Sequence, residues 1–179
     1  MNVLDDSLRL IDALAGWGLR ECAKYGFHVP ADADQRTILG MEFVLRHVPE
    51  LIGRILFAEP LGPTAPGGVF RADFGLEDVD DLLLHNGCPL ADYPSDDEAR
   101  YRVGAPDFSP IVCAVQVAKD DPRRQIGNFV IFDGWHRSAA WLIRAREGHS
   151  ERLTADVIRT MRPLTSGPRK NPSFGVGPW

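Results

Sequence analysis

Residues 129–141, FVIFDGWHRSAAW, place a carboxylate, an imidazole and a guanidinium close together, at Asp133, His136 and Arg137. Four apolar residues precede Asp133 and a helix-forming segment follows Arg137, so the pattern predicts a turn from a strand into a helix. The first N–H groups of a helix lack partners within the helix, and the helix dipole adds partial positive charge there. The stretch therefore predicts an anion site of the kind that binds phosphate.

Each polar residue of this turn has a role that its chemistry suggests. Gly134 has no Cβ to block the close approach of a ligand. Arg137 can donate two parallel hydrogen bonds to phosphate oxygens, and His136 and Ser138 can donate further hydrogen bonds. Asp133 can orient His136 or Arg137, hold Mg²⁺, or accept a proton from an attacking hydroxyl. The alternative is that Asp133 only caps the helix and that His136 and Arg137 are ordinary exposed residues.

The pattern does not favour a transition-metal or zinc site. No H-x-x-x-H or H-x-E spacing supports Asp133 and His136, and the other histidines are scattered along the chain. The number of cysteines is odd, no pair forms C-x-x-C, and Cys113 lies in an apolar run typical of core packing. Magnesium held partly by a bound phosphate is the metal that the turn predicts.

The elements around the turn can be predicted from periodicity. Apolar residues recur at helical spacing and predict a first helix, capped by Asp5, Asp6 or Ser7; they are Leu4, Leu8, Ile11, Ala15 and Leu19. A second helical stretch runs from Ile38 to Leu56 and is interrupted at Pro49. The Pro/Gly-rich residues 59–68 predict a boundary. Residues 1–58 are therefore predicted to form an N-terminal helical subdomain.

Strand-like and helical segments alternate after this boundary. We predict a strand in residues 68–75, a helix over 77–84, an irregular acidic loop over 88–109, strands at 110–118 and 128–134, a helix at 137–147 and a last strand at 152–160. The fold class is thus α+β, a small mixed β-sheet with flanking helices plus the N-terminal helical layer. The core would occupy residues 68–162, and 163–179 would form a Pro/Gly-rich tail.

Charge and hydropathy narrow the functional classes. Residues 1–118 carry 9 Lys/Arg and 19 Asp/Glu, a net −10, whereas residues 119–179 carry 11 and 6, a net +5. The acidic front half argues against a dedicated DNA-binding protein, and the basic back half suits a phosphate-bearing ligand. No apolar run approaches the ~18 residues that span a bilayer, and Asp5 and Asp6 stand where a secretory signal would be basic. A cytoplasmic protein without a membrane partner is expected.

The segment IFDGWHRSAAW resembles the D-G-x-H-R-x-A-A signature of the ParB/sulfiredoxin-like fold, which includes partition-protein N-terminal domains, sulfiredoxins, free-serine kinases and some small nucleases. The similarity covers residues 68–162 and is strongest over 109–160. It implies that Gly134, His136, Arg137 and Ser138 contact the phosphates of a nucleoside di- or triphosphate (ATP, ADP or CTP) bound with Mg²⁺. Trp135 stands where sulfiredoxins have their reactive cysteine, so sulfinic-acid repair is not expected.

Two functions follow from the resemblance. The first is a nucleotide-dependent phosphotransferase (a small-molecule kinase) or hydrolase, with Asp133, His136 and Arg137 as catalytic residues, Asp133 as the base or magnesium ligand, and a small hydroxylated substrate as acceptor. Glu77 and Asp78 are weaker candidates for the base, and they equally suit a helix cap. The alternative is a DNA-associated nuclease or a nucleotide-gated regulator, although duplex DNA binding is expected to be weak or absent. A third possibility is a binding module that senses nucleotide without catalysis.

Overall fold

This computed structural model of the protein describes residues 1–86, 109–149 and 152–164. Within these ranges, five strands form one sheet and five helices pack around it. The elements in chain order are β1 (Asn2–Leu8), α1 (Leu10–Lys24), α2 (Ala33–His47), α3 (Pro49–Phe57), β2 (Val69–Phe74), α4 (Leu76–His85), β3 (Ile111–Gln116), β4 (Val130–Asp133), α5 (Trp135–Arg146) and β5 (Leu153–Thr160). The acidic loop predicted at 88–109 and the tail predicted at 163–179 lie mostly outside the described residues.

The sheet is mixed, with strand order β1-β2-β5-β3-β4. β5 runs parallel to β3, while the pairs β1–β2, β2–β5 and β3–β4 are antiparallel. The predicted α+β class with a mixed sheet is therefore confirmed. Residues 128–134 and 152–160, predicted as the two strands flanking one helix, are separated in the sheet by β3.

Alternation along the strands gives the sheet two buried faces. On the back face, Phe70, Ala72 and Phe74 of β2 pack with buried residues of α4 and α5. On the front face, Val69, Val112 and Ile158 pack with buried residues of α1, α2 and α3. The predicted N-terminal helical layer therefore lies directly on the sheet and shares a core with it, while the division at residues 58 and 68 stays a prediction.

The prediction that the first helix begins near Leu4 is wrong. Residues 2–8 form an edge strand that pairs with β2, and α1 begins only at Leu10. Asp5, which was predicted as a cap, instead accepts hydrogen bonds from the backbone N–H and hydroxyl of Ser7, at 2.9 and 2.7 Å. The apolar spacing of Leu4 and Leu8 fits both a helix and an irregular strand, and the backbone partners that β2 supplies decide in favour of the strand.

α1 and α2 approach each other very closely at two glycines. A Cβ at Gly18 would lie 2.0 Å from the carbonyl oxygen of Gly40, and a Cβ at Gly40 would lie 2.1 Å from the carbonyl oxygen of Ala15. Only glycine allows the two backbones to meet in this way. The contact fixes how α1 and α2 lie over the front face.

Pro49 and Asn86 mark two helix boundaries where the sequence predicts them. Pro49 occupies the first turn of α3, so the predicted restart of the helix at this proline is confirmed. Asn86, buried after α4, donates to the carbonyls of Leu82 and Phe129 and accepts from the N–H of Ile131. The asparagine predicted to stop the helix thereby also anchors β4, the strand that leads into the turn.

Candidate functional site

The predicted strand-to-helix turn lies between β4 and α5. β4 ends at Asp133, Gly134 is the N-cap with φ 103° and ψ 21°, and α5 begins at Trp135. Ser138 donates its N–H to the Gly134 carbonyl at 2.8 Å and closes the first turn. Among the described residues no side chain caps this helix, so the N–H groups of its first turn are the natural donors for an anion.

Gly134 is required here for two reasons. Its positive φ is a conformation that other residues rarely adopt. In addition, a Cβ at this position would lie 2.3 Å from Cγ2 of Ile111, at the start of β3. The turn therefore sits tightly against β3, which fixes where α5 begins.

Arg137 points into the protein and braces the turn. Its side chain is only 11% exposed, and Nη2 donates to Asp133 Oδ2 at 2.6 Å. Nη1 donates to the carbonyl oxygen and the hydroxyl of Ser109, at 2.9 and 2.7 Å, and lies 3.3 Å from the carbonyl oxygen of Pro110. Arg137 thus ties α5 to β4 and to the segment entering β3, and its guanidinium is largely occupied by protein acceptors.

The other predicted residues occupy different environments. Ser138 is fully buried and its hydroxyl donates to the Gly134 carbonyl at 2.9 Å, so it stabilises the turn and does not lie at its surface. His136 is half-buried in the first turn of α5. Trp135 is partly buried and packs against the back-face core. Asp133 keeps 28% of its side chain exposed beside Arg137.

A partly buried charge network continues from the turn across the front face. Asp156 of β5 is almost fully buried and accepts from Arg71 of β2 at 2.8 and 3.2 Å, and this hydrogen bond raises the pKa of the Arg71 guanidinium. Arg20 of α1 lies near the same end of the sheet, with Nη2 3.5 Å from the Pro110 carbonyl oxygen. Burial lowers the pKa of Arg20, and the nearby charge of Asp156 partly offsets this shift. Arg20, Arg71 and Asp156 were not predicted, because only the packing of α1 and the strands brings them near the turn.

A cavity of about 490 Å³ opens on the front face beside the turn. Five of its lining residues are aromatic, namely Trp17, Tyr25, Phe27, Phe43 and Phe132. Its ionisable lining residues besides Tyr25 are Glu21, His47 and Asp133. Asp133 therefore belongs both to the predicted phosphate turn and to the cavity wall. The sequence prediction missed this cavity, because its lining residues come from separate parts of the chain that only the fold brings together.

The weaker candidates do not join this site. Asp78 accepts a hydrogen bond from the backbone N–H of Gly75 at 2.8 Å. This is the helix-capping role that was the alternative to a role as base for Glu77 and Asp78. Glu77 is exposed in the first turn of α4. In the described part of the chain, no three His, Cys, Asp or Glu side chains cluster as metal ligands would.

Comparison with protein families, with characterised proteins and with solved structures finds no match to this chain. Among the described helices, none has the length and apolar character needed to cross a membrane.

Proposed function

We propose that this protein is a nucleotide-binding phosphotransferase with a ParB/sulfiredoxin-like core, which transfers phosphate to a small hydroxylated molecule. The observation that carries the proposal is the β4–α5 turn, where the D-G-x-H-R residues form a left-handed glycine cap followed by a helix without a side-chain cap. Such a turn presents several backbone N–H groups and a positive dipole end to a phosphate.

The predicted residues of the turn would play different roles in binding a phosphate. The N–H groups of Trp135, His136 and Arg137 would hold phosphate oxygens, with the His136 side chain as a further donor. Arg137 acts first as a positioning residue, because its guanidinium holds Asp133, Ser109 and Pro110 in place. It would contact a phosphate only by exchanging one of these partners.

Asp133 is the best-placed group to receive the proton of an attacking hydroxyl. Its carboxylate lies at the start of the turn, is partly exposed and lines the adjacent cavity. A single carboxylate also fits Mg²⁺, which usually takes only one or two carboxylates from a protein when phosphates supply the remaining ligands. When bound, the ion would neutralise charge on the phosphate oxygens, with Asp133 as its ligand from the protein.

Titration calorimetry with ATP, ADP and CTP, each with Mg²⁺, tests the proposal. His136→Ala should weaken nucleotide binding by about 1.5–3 kcal/mol, the scale of a hydrogen bond to a charged group. The matched control is His149→Ala, since His149 is exposed just beyond the opposite end of α5. Arg137→Ala should weaken binding by a similar amount, and thermal unfolding of that variant would separate lost contacts from a loosened turn.

Two results would count against the proposal. Absence of binding for all three nucleotides would remove the phosphate role of the turn. Tight binding of duplex DNA that persists near physiological salt in fluorescence anisotropy, together with plasmid nicking abolished by Asp133→Asn, would favour the nuclease alternative, because the net charge of −5 predicts weak DNA affinity.

A further inference from the structure

We propose that the front-face cavity binds a small aromatic alcohol, with its ring among the aromatic side chains and its hydroxyl against the Asp133 carboxylate. Binding of the ring is independent of any nucleotide. The role of the hydroxyl as phosphate acceptor rests on the proposed function, because it requires a nucleotide at the β4–α5 turn.

The cavity is large enough for an aromatic ring with a side chain, and several of its walls are aromatic. Its volume of about 490 Å³ falls within the usual range for small-molecule pockets. Tyr25 and Phe43 stack with ring centroids 6.3 Å apart, and Phe27 meets Phe43 edge-on at 6.4 Å. Tyr25 and Phe27 remain more than half exposed, so a planar ligand could cover apolar surface that now faces solvent.

Two acidic side chains of the cavity favour a ligand that donates a hydrogen bond. The carboxylates of Glu21 and Asp133 accept hydrogen bonds, and a hydroxyl can donate to either of them. Arg137 binds Oδ2 of Asp133, which leaves Oδ1 as an acceptor with respect to the described side chains. A ligand carboxylate placed against Asp133 would be repelled by it, and a plain hydrocarbon would cover the Oδ1 acceptor without giving it a hydrogen bond.

Trp17 adds a second polar observation at the same cavity. Its side chain is only 5% exposed, and its indole N–H has no acceptor among the described residues. A buried donor without a partner costs free energy, and such groups are uncommon in folded proteins. The indole nitrogen itself is closed to solvent, so a ligand hydroxyl would meet it only after a movement of the Trp17 ring. A hydroxyl can donate to a carboxylate and accept from an N–H, so an alcohol would then suit both groups.

The position of Asp133 connects this ligand to the turn. In the reaction, the alcohol oxygen forms a bond to the terminal phosphorus of a nucleoside triphosphate, and the bond from that phosphorus to the bridging oxygen breaks. The nucleoside diphosphate leaves with the bridging oxygen, and the hydroxyl proton passes to Asp133. The products are an aromatic phosphate monoester and the diphosphate.

Binding is tested on the full chain by NMR, with 2-phenylethanol as the probe and ethylbenzene as its counterpart without a hydroxyl. 2-Phenylethanol should shift the Trp17 indole N–H signal, assigned with Trp17→Phe, and should leave that of Trp141 unchanged. Leu51→Trp fills the cavity and should weaken binding at least about tenfold. Leu56→Trp is the matched control, because Leu56 lies on the same helix, is 62% exposed and does not line the cavity.

The outcomes separate this inference from the proposed function. The inference fails if 2-phenylethanol gives no saturable shift at Trp17, or if ethylbenzene binds equally well. If Leu51→Trp does not fold, comparing 2-phenylethanol with ethylbenzene on the unmodified chain still tests whether the cavity prefers the alcohol. Nucleotide binding without probe binding would overturn the cavity proposal alone, and probe binding without nucleotide binding would support the cavity and refute the acceptor role.

Discussion

Replacing Gly18 by alanine should destabilise the protein, although the same replacement at Gly16 should stabilise it. Both glycines lie within α1, and alanine is the better helix former by about 1 kcal/mol at either position. A Cβ at Gly16 would find only the end of the Arg20 side chain, at 3.7 Å. Gly16→Ala should therefore raise the free energy of unfolding by about 0.5–1 kcal/mol.

At Gly18 the packing opposes this gain. The new Cβ would lie 2.0 Å from the Gly40 carbonyl oxygen and 2.9 Å from Cγ2 of Val44, whereas unstrained carbon contacts are about 3.5–4 Å. α1 and α2 would have to separate, at a cost of about 1–3 kcal/mol or more for an overpacked core. Because the clash is with a backbone oxygen, we place the cost at the upper end, about 3 kcal/mol, and after the propensity gain of about 1 kcal/mol we expect a net loss of roughly 2 kcal/mol.

Urea denaturation followed by circular dichroism measures both variants against the unmodified chain. The expected result is a higher midpoint for Gly16→Ala and a lower midpoint for Gly18→Ala, with similar slopes. Equal and positive effects at the two positions would show that α1 and α2 do not meet at Gly18 and Gly40. The placement of the front-face cavity, which Gly18 and Val44 line, would then be wrong as well.

The remaining predictions concern the turn and the buried thiol. Gly134→Ala should lower the free energy of unfolding by about 2–4 kcal/mol, because strain at positive φ adds to the clash with Ile111. Gly148 also has a positive φ but has open space around it, so Gly148→Ala should cost only about 1 kcal/mol. Equal losses for the two variants in denaturation experiments would exclude the clash. Burial raises the pKa of the Cys113 thiol, so iodoacetamide at mildly alkaline pH should modify Cys113 only after unfolding, and mass spectrometry of the native protein would contradict this by detecting its alkylation.

Several elements could be predicted from the sequence because their determinants are local. Pro49 marks the start of α3, Asn86 follows the end of α4, and the apolar run before Asp133 predicts β4. Each of these features acts within one or two turns of chain. The predicted class, α+β with a mixed sheet, followed from the order of such elements.

The edge strand β1 shows where local pattern is insufficient. Residues 2–8 have too few apolar positions to distinguish a helix from a strand, and their backbone partners lie in β2, more than 60 residues later in the chain. Pairing of this kind depends on the completed sheet. The position of β1 beside β2 therefore could not be predicted from local pattern.

For the candidate site, the sequence by itself determined the turn: an Asp-Gly between an apolar run and a helix predicts a strand-to-helix turn with N–H donors after it. That Gly134, and not Asp133, is the N-cap appears only in the structure. Only the tertiary structure decided what the side chains do. It turned Arg137 inward to Ser109 and Asp133, because carbonyl and hydroxyl acceptors from the segment entering β3 lie within its reach. It also placed the aromatic residues of α1 and α2 beside Asp133, since the Gly18–Gly40 contact sets the position of these helices over the sheet.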